Sequence, residues 1–486
     1  MLVLILGIDN CKREIMKIEQ IYTGCLAQGA YYIESDGEVA IIDPLREVSS
    51  YIEMATKRGA VIKYIFETHF HADFVSGHLT LAEKTGAKII YGPNANPNYS
   101  CTIAKDKEVF KLGKITLEVI HTPGHTMESS CFLLRDKQGK EHSVFTGDTL
   151  FLGDVGRPDL AQKSDITRED LAGMLFDSLR NKVMLLPDDV VVYPGHGAGS
   201  ACGKNMSKET IGSIGHEKKE NYALRSDMTK EEFINEVTDG LEEPPAYFPQ
   251  NVNLNKNGYQ NVEEVISKAS PLAPDAFETM ANLTGALVLD VRSADDFAAC
   301  HVPRSTFIGI DGPFAPWVGA LVKDVNQPLL LVVPEGELNE VVTRLSRVGF
   351  DNVLGYLEGG VENWKQIGKE TDSVESISPE EFYSQHSAKK GNIFDVRKPS
   401  EYVSQSVVGA VNTPLNEINE QLSVFTESTK GEDVNYIHCG GGYRSMIAIS
   451  ILKSRGLHDF INVEKGFAGI KETDIEKTEF VCPSTL

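Results

Sequence analysis

The feature that most restricts this chain is a duplication in its second half. ALVLDVRSADDF (286–297) aligns with NIFDVRKPSEY (392–402), and RVGFDNVLGYLEGGVENW (347–364) aligns with SRGLHDFINVEKGFAGI (454–470). Asp290 and Asp395 lie 105 residues apart, and Gly349 and Gly456 lie 107 apart. Two copies at so steady an offset mean a repeated domain of about 100 residues, not a solenoid, whose units are shorter. Each copy reads strand–helix–strand–helix with a closing strand, an α/β pattern. With 486 residues in all, the chain has room for one larger domain ahead of the pair.

That leading part alternates β-rich runs with helical stretches up to about residue 240. YYIES, VAIIDP, VIKYIFETH, AKIIYGP, ITLEVIHTPGH, SSCFLLR, HSVFTGD and DVVVYPGHG read as short buried strands ending in turn residues. LTLAEKTG and REDLAGMLFDSLRN read as helices between them. Over 242–261 Pro, Asn and Gly collect and periodicity disappears, which reads as a linker or an extended wrapping segment. The opening MLVLILG is apolar but has no basic region before it and soon reaches Asp9, Asn10, Cys11 and Lys12. It reads as an N-terminal extension or a first strand rather than a secretory signal, and Met16 is a second candidate start. The expected organisation is an extension at 1–15, a first domain at 16–241, a linker at 242–270, and repeats at 271–372 and 376–486.

Composition narrows the partners. Lys and Arg number 47 against 70 Asp and Glu, a net charge of −23, which argues against nucleic acid and against an anionic membrane. No apolar run approaches the ~18 residues that span a bilayer. Eight cysteines without a CxxC pair make a disulfide scaffold or a structural zinc ribbon a poor expectation, and a reducing cytoplasm is the default.

Chemistry-bearing residues fall where strands end, the usual place for sites in α/β folds. Thr68-His69-Phe70-His71-Ala72-Asp73-Phe74 closes VIKYIFE, with Gly77-His78 just after it. If this segment is extended, His69, His71 and Asp73 leave one face, because alternation has period two. His125 in HTPGHT, Asp148 in FTGD and His196 in PGHG each stand at another strand end. Together these groups point to a metal site.

The motifs THFHAD, HTPGHT, TGD and PGHG, in that order, resemble those of the metallo-β-lactamase superfamily over roughly residues 16–240. The resemblance implies an αβ/βα sandwich with its site at one edge of the two sheets. Two-metal members usually carry His where this chain has Phe74, and that His helps bind the second ion with Asp73 and the distal His196. Phenylalanine has no lone pair, so the second site loses a ligand. Two His and one carboxylate with open positions is the arrangement of non-haem Fe(II) oxygenases. The sequence looks like the persulfide dioxygenase branch, which implies one Fe(2+) per chain on His69, His125 and Asp148. His71, Asp73 and His196 then orient ligands and bound water; spacing alone leaves His71 open as a ligand. In GDVGRPDL, Arg157 is the candidate to hold a carboxylate of a thiol carrier. Cys202, after PGHGAGS, either contacts a sulfur substrate or is a buried inert thiol.

In the last repeat VNYIHC reads as a strand, GGGYRS as a turn and MIAISILKS as a helix. Cys439 then stands at the mouth of a loop whose backbone N–H groups point inward at a helix N-terminus, a nest for anionic sulfur. Gly440, Gly441 and Gly442 carry no Cβ to block the cradle. The glycines, Tyr443 and Ser445 of this loop are the candidate substrate-binding residues; Arg444 adds a fixed catalytic charge and Ser445 can also cap the helix. The loop resembles the rhodanese active site, and 376–480 looks like a rhodanese domain. Four residues separate Cys439 from Arg444, one fewer than in related phosphatase loops, which favours sulfur transfer through a cysteine persulfide over phosphate-ester hydrolysis. The matching segment of the middle repeat, Leu331-Val332-Val333-Pro334-Glu335-Gly336, has no Cys, and Cys300 lies elsewhere in that copy. That repeat reads as a silent rhodanese-like domain, with Asp290, Arg292, Asp395 and Arg397 as structural ion pairs.

The whole resembles bacterial persulfide dioxygenase–rhodanese fusions. This implies an α/β multidomain enzyme that oxidises a small-molecule persulfide with O2 to sulfite and makes thiosulfate through Cys439, in sulfide detoxification. Glutathione, bacillithiol, coenzyme A and free persulfides all stay open as substrate carriers, as does homo-oligomerisation. Two other readings remain: a zinc thioester hydrolase of the glyoxalase II kind carrying rhodanese modules, and a non-enzymatic sulfur carrier or scaffold.

Overall fold

The computed structural model describes residues 16–161, 165–204, 206–431 and 433–482, and the expected extension at 1–15 lies outside the described residues. The first domain is built on two six-stranded sheets. One runs in chain order through β1 (Lys17–Thr23), β2 (Gln28–Ser35), β3 (Glu38–Ile42), β4 (Val61–Glu67), β5 (Lys88–Tyr91) and β6 (Thr102–Ile103). The other holds β7 (Val109–Leu112), β8 (Ile115–His121), β9 (Ser130–Arg135), β10 (Glu141–Gly147), β11 (Val191–Pro194) and β12 (Gly212–Ser213), and runs from β12 back to β7.

Side-chain alternation explains the layering. Tyr31, Ile33, Ala40, Ile42 and Phe66 of the first sheet pack against Leu117, Val119, Phe132 and Phe145 of the second, forming the core between sheets. Their neighbours Ala30, Tyr32, Val39 and Ile41 face the opposite way and are covered by Tyr51 and Ala55 of α1 (Ser49–Arg58) and Leu81 of α2 (His78–Thr85). Leu133, Val144 and Val192 meet Ala172, Leu175 and Leu179 of α3 (Arg168–Asn181) on the far side. Each sheet is thus buried on both faces, which is why its strands read as near-continuous apolar runs. Each such aliphatic or aromatic side chain contributes roughly 1.5–3 kcal/mol on burial. Reciprocal capping boxes fix two helix starts, Thr167 with Asp170 on α3 and Thr229 with Glu232 on the helix Lys230–Thr238.

Residues 242–270, expected to be a linker or an extended wrapping segment, hold two helices, Phe248–Asn257 and Val262–Lys268. The first hides its period because amides occupy its buried face. Asn251 and Asn255 are both buried; the Asn255 amide donates to the His71 and Phe74 carbonyls (2.8 Å each) and its Oδ1 accepts from Ser76 N–H (2.9 Å). A polar buried face leaves no hydrophobic stripe to read. This helix therefore braces the loop that follows β4.

The chain divides into two compact units, the first ending at Val262 and including Ser346–Gly349. In the second unit the duplication is explicit. β13 (Ser270–Leu272), β14 (Leu287–Asp290), β15 (Thr306–Phe307), β16 (Leu329–Val332) and β17 (Val353–Leu357) form a parallel sheet in the order 13-17-16-14-15. β18 (Ser376–Ile377), β19 (Asn392–Asp395), β20 (Val411–Asn412), β21 (Asn435–His438) and β22 (Ile461–Val463) repeat that order as 18-22-21-19-20. Arg292 pairs with Asp290 and donates to Cys300 O, as Arg397 pairs with Asp395 and donates to Gln405 O (2.8 Å in both). These four residues are structural ion pairs closing the same strand in each copy. No helix among the described residues is long and apolar enough to cross a membrane.

Candidate functional site

β4 ends at Glu67, and the chain bends instead of staying extended, because Asp43 at the end of β3 captures Thr68. Thr68 N–H donates to Asp43 Oδ1 and its hydroxyl to Asp43 Oδ2 (2.8 Å each). The expected single face for His69, His71 and Asp73 is therefore lost. The three enter different donor groups: His69 joins His125 and Asp148, His71 joins Asp43 and Glu67, and Asp73 joins His196 and Cys202.

Hydrogen bonding fixes the first group. The Thr68 hydroxyl has given its one proton to Asp43, so at 2.9 Å it accepts from His69 Nδ1–H. His125 Nδ1–H donates to the Arg157 carbonyl at 2.8 Å. Both imidazoles thus carry their proton on Nδ1 and present a bare Nε2. Asp148 Oδ1 accepts from His196 Nδ1–H (2.9 Å), and its Oδ2, fully buried, has no hydrogen-bond partner. That oxygen lies 3.6 Å from His125 Nε2 and 4.0 Å from His69 Nε2. Three lone-pair atoms face one another in a buried space with no donor among them. A cation with ligand distances of about 2.1 Å satisfies all three, so the residues fit a divalent metal. Burial, with His71, pushes the His69 pKa well below its ordinary value and keeps the ring neutral, as ligation requires. Burial alone would raise the Asp148 pKa, but the doubly protonated His196 bonded to it holds its carboxyl well below the usual range.

His196 spans the two carboxylates, with Nδ1 on Asp148 and Nε2 on Asp73 Oδ2 at 2.8 Å. Burial opposes its charge, yet Asp148 and Asp73 raise its pKa well above normal, so both nitrogens carry protons. Phe74 is 0% exposed and its ring lies 4.3 Å from that of His71. Hydrocarbon fills the place where a nitrogen ligand was missing from the motif. His71 Nε2 sits 3.1 Å from Asp43 Oδ1 and 3.8 Å from Glu67 Oε2, turned to its own acidic pair. Cys202 is buried beside Asp73; burial and then that carboxylate push its thiol pKa well up, so it stays a neutral thiol.

Arg157 differs from its expected role. Its side chain is 5% exposed, and the guanidinium grips Asp159 with two 2.7 Å bonds while also donating to the Ala201 and Glu242 carbonyls. It is a clamp between loops, and its contribution to the centre is the backbone carbonyl on His125.

In the second unit β21 delivers Cys439 into a turn. Gly442 N–H donates to its Sγ at 3.1 Å and the Ser445 hydroxyl lies 3.6 Å away. Gly442, at φ +100°, heads the helix Tyr443–Ser454 in a conformation that side chains resist. Gly440 has no room to spare, since a Cβ would sit 3.0 Å from Arg444 Nη2, whereas nothing lies within 4 Å of one on Gly441. Ser445 is not the cap expected from sequence; it lies inside the first turn and its hydroxyl also reaches Asn462 Oδ1 (2.7 Å). Arg444 is held in a bidentate pair by Glu401 (2.6 and 2.8 Å). Tyr443 faces the middle repeat, not the cradle: its hydroxyl donates to Gly309 O at 2.7 Å beside Phe307. A Cβ on Gly312 would come within 2.3 Å of the Tyr443 ring. Gly312→Ala is therefore expected to destabilise the chain by about 1–3 kcal/mol, and Gly441→Ala by less than about 0.5 kcal/mol, as read by denaturant unfolding.

A profile of the metallo-beta-lactamase superfamily matches residues 23–196, and one for the rhodanese-like domain matches twice, over 273–367 and 378–473. A crystal structure of a metallo-beta-lactamase from Staphylococcus aureus subsp. aureus COL is similar at 30% identity and a TM-score of 0.63, covering 71% of this chain and 99% of that one. The chain belongs to the metallo-beta-lactamase superfamily. Its metallo-beta-lactamase domain is followed by two rhodanese-like domains. Curated relatives include a Schizosaccharomyces pombe protein named as a probable hydroxyacylglutathione hydrolase, 33% identical over 34% of this chain and 60% of that one. A cytoplasmic hydroxyacylglutathione hydrolase of Arabidopsis thaliana is 31% identical over 37% of this chain and 67% of its own length. The chain spans 58–60% of the length of the two fission-yeast relatives.

Within the metallo-beta-lactamase domain, sequence reasoning missed Asp43, Glu67 and Asn255. Asp43 and Glu67 each end a strand, the same signal that marked Asp148, but an isolated acid there carries no motif.

Proposed function

We propose that the metallo-beta-lactamase domain uses one Fe(II) to oxidise a carrier persulfide, and that the last rhodanese-like domain moves sulfane sulfur through Cys439. The observation that carries this reading is the three-donor centre of His69, His125 and Asp148 beside a buried Phe74. Two imidazoles and a carboxylate are the donor set of non-haem iron oxygenases, and it leaves coordination positions open. When bound there, Fe(II) supplies the redox chemistry by which O2 reacts with a sulfur anion. The balance is R–S–SH + O2 + H2O giving RSH, sulfite and two protons.

The chain's own groups do the rest. Thr68 and the Arg157 carbonyl hold His69 and His125 in one tautomer, and the protonated His196 holds Asp148 Oδ1 so that Oδ2 faces the centre. At the second site the Cys439 sulfur attacks the terminal sulfur of another R–S–SH; the S–S bond breaks and RSH leaves. Sulfite then attacks the outer sulfur of the Cys439 persulfide, releasing thiosulfate and the cysteine thiolate. Gly442 N–H faces that sulfur and stabilises its negative charge.

A second reading is a zinc thioester hydrolase, favoured by the names of the curated relatives and by the Asp73, His196 and Cys202 group as a further donor set. Against it stands His196, whose two nitrogens are both bonded to carboxylates. An oxygen electrode separates the two. Protein loaded anaerobically with Fe(II) is expected to consume O2 on adding glutathione persulfide and to form sulfite. Thioester cleavage by the zinc-loaded protein, without oxygen uptake by the iron-loaded one, would favour the hydrolase.

A further inference from the structure

We propose that Tyr443 is a positioning residue for sulfur transfer: it anchors the Cys439 loop to segment 309–312 of the middle repeat, so that the repeat lacking the loop cysteine sets the rate of the repeat that has it. This rests on the reading above only in that Cys439 carries sulfane sulfur. The loop has little stiffness of its own. Glycine loses more backbone freedom on ordering than any other residue, and three follow one another here. A Cβ on Gly441 would meet nothing within 4 Å. Order is therefore imposed from outside, at both ends. The entry to the loop is held within the last repeat, where the Cys439 and Gly440 carbonyls accept from Phe467 N–H (2.6 Å) and Ala468 N–H (3.0 Å).

The exit is held from the middle repeat. Gly442, whose N–H donates to Cys439 Sγ at 3.1 Å, accepts Met446 N–H on its carbonyl (3.3 Å) and so moves with the helix Tyr443–Ser454. That helix meets the middle repeat at three points. The Tyr443 hydroxyl donates to Gly309 O (2.7 Å), Ser450 Oγ accepts from Phe307 N–H (2.9 Å), and Lys453 Nζ pairs with Asp372 (3.0 Å). Positions 443, 450 and 453 stand at i, i+7 and i+10, so they share one face of the helix. Of the three, Tyr443 adjoins Gly442, and the others lie about two turns or more away. Its ring fills a slot: a Cβ on Gly312 would come within 2.3 Å of it, and Phe307 meets it edge-on at 6.0 Å. Burial, then the Asp311 carboxylate, push the phenol pKa well up, so the hydroxyl stays a donor. In the transfer step sulfite attacks the outer sulfur, the S–S bond breaks and the Cys439 sulfur leaves with the electron pair. A Gly442 N–H already fixed on that sulfur costs no reorganisation as the charge develops, whereas one free to swing does.

The test is single-turnover transfer by the full, iron-loaded chain, charged anaerobically with glutathione persulfide, freed of excess and mixed with sulfite. The rate constant of thiosulfate release does not depend on the fraction of chains folded, and Cys439→Ser supplies the blank. Tyr443→Phe keeps the ring, removes the hydroxyl and is expected to lower that constant about tenfold. The fall is smaller than the roughly 100-fold cost of deleting a fixed donor, because the donor is loosened and not lost. Gly312→Ala, a change confined to the middle repeat, is expected to lower the constant at least as far by displacing the ring. Ser450→Ala breaks the same interface two turns away and leaves Phe307 N–H without its acceptor. It is expected to lower the unfolding midpoint yet keep the rate constant within about twofold of the parent. An unchanged rate constant in either Tyr443→Phe or Gly312→Ala, or an equal fall in Ser450→Ala, would overturn the assignment while the sulfurtransferase reading stands. Absence of thiosulfate from the parent chain would overturn both.

Discussion

Replacing Asp148 by Asn is expected to cut oxygen uptake by more than about 100-fold while sulfur transfer at Cys439 stays within twofold of the parent. The reason lies in the arrangement of lone pairs. Asp148 Oδ2 is the one anionic atom among three buried acceptors, and Oδ1 is the anchor for His196. An amide of the same shape removes the charge and turns one oxygen into a donor pointed either at the His196 N–H or at the two bare Nε2 atoms. Loss of groups that merely orient a metal ligand typically costs 10–100-fold, so loss of the anionic ligand itself exceeds that range. Iron content per chain should fall with the rate, measured on the same samples. Retained iron with retained oxygen uptake would remove Asp148 from the centre.

Cys439→Ser is expected to abolish thiosulfate formation, by on the order of 10³-fold or more, with oxygen uptake unchanged within twofold. A hydroxyl cannot carry a sulfane sulfur as a persulfide, so the covalent step has no substitute in the cradle. The mutation is nearly isosteric, and the Gly442 N–H keeps an acceptor to face; folding is therefore expected to persist. Sulfite should then accumulate where the parent makes thiosulfate. Thiosulfate formation at the parent rate by Cys439→Ser would eliminate the proposed sulfurtransferase.

The contrast between what sequence showed and what it hid follows from the range of the interactions. Strands such as β2, β4 and β8 were legible because sheets covered on both faces need long apolar runs, and the duplication was legible because Asp–Arg pairs recur at one offset. His69, His125 and Asp148 were visible as strand-end residues in recognisable motifs. Which of them share a centre was not visible in spacing, because the bend after Glu67 depends on Asp43, 25 residues earlier in the chain. The helix Phe248–Asn257 was hidden by Asn251 and Asn255, polar residues on its buried face, the second of them bonded to the distant His71 and Phe74 carbonyls. Arg157 and Tyr443 misled for a related reason. Each has side-chain chemistry suited to a ligand, and each spends it on partners remote in sequence: the Glu242 carbonyl for one and the Gly309 carbonyl for the other. The helix after Cys439 is buried on nearly all sides because Phe307 N–H of the first repeat reaches its Ser450 hydroxyl (2.9 Å). The middle repeat thus serves as packing surface for the last one.

The metal-to-chain ratio tests the central claim most directly. Protein loaded anaerobically with excess Fe(II), freed of unbound ion and analysed by plasma mass spectrometry is expected to hold one iron per chain; two tightly held ions per chain would contradict a centre built on His69, His125 and Asp148 alone.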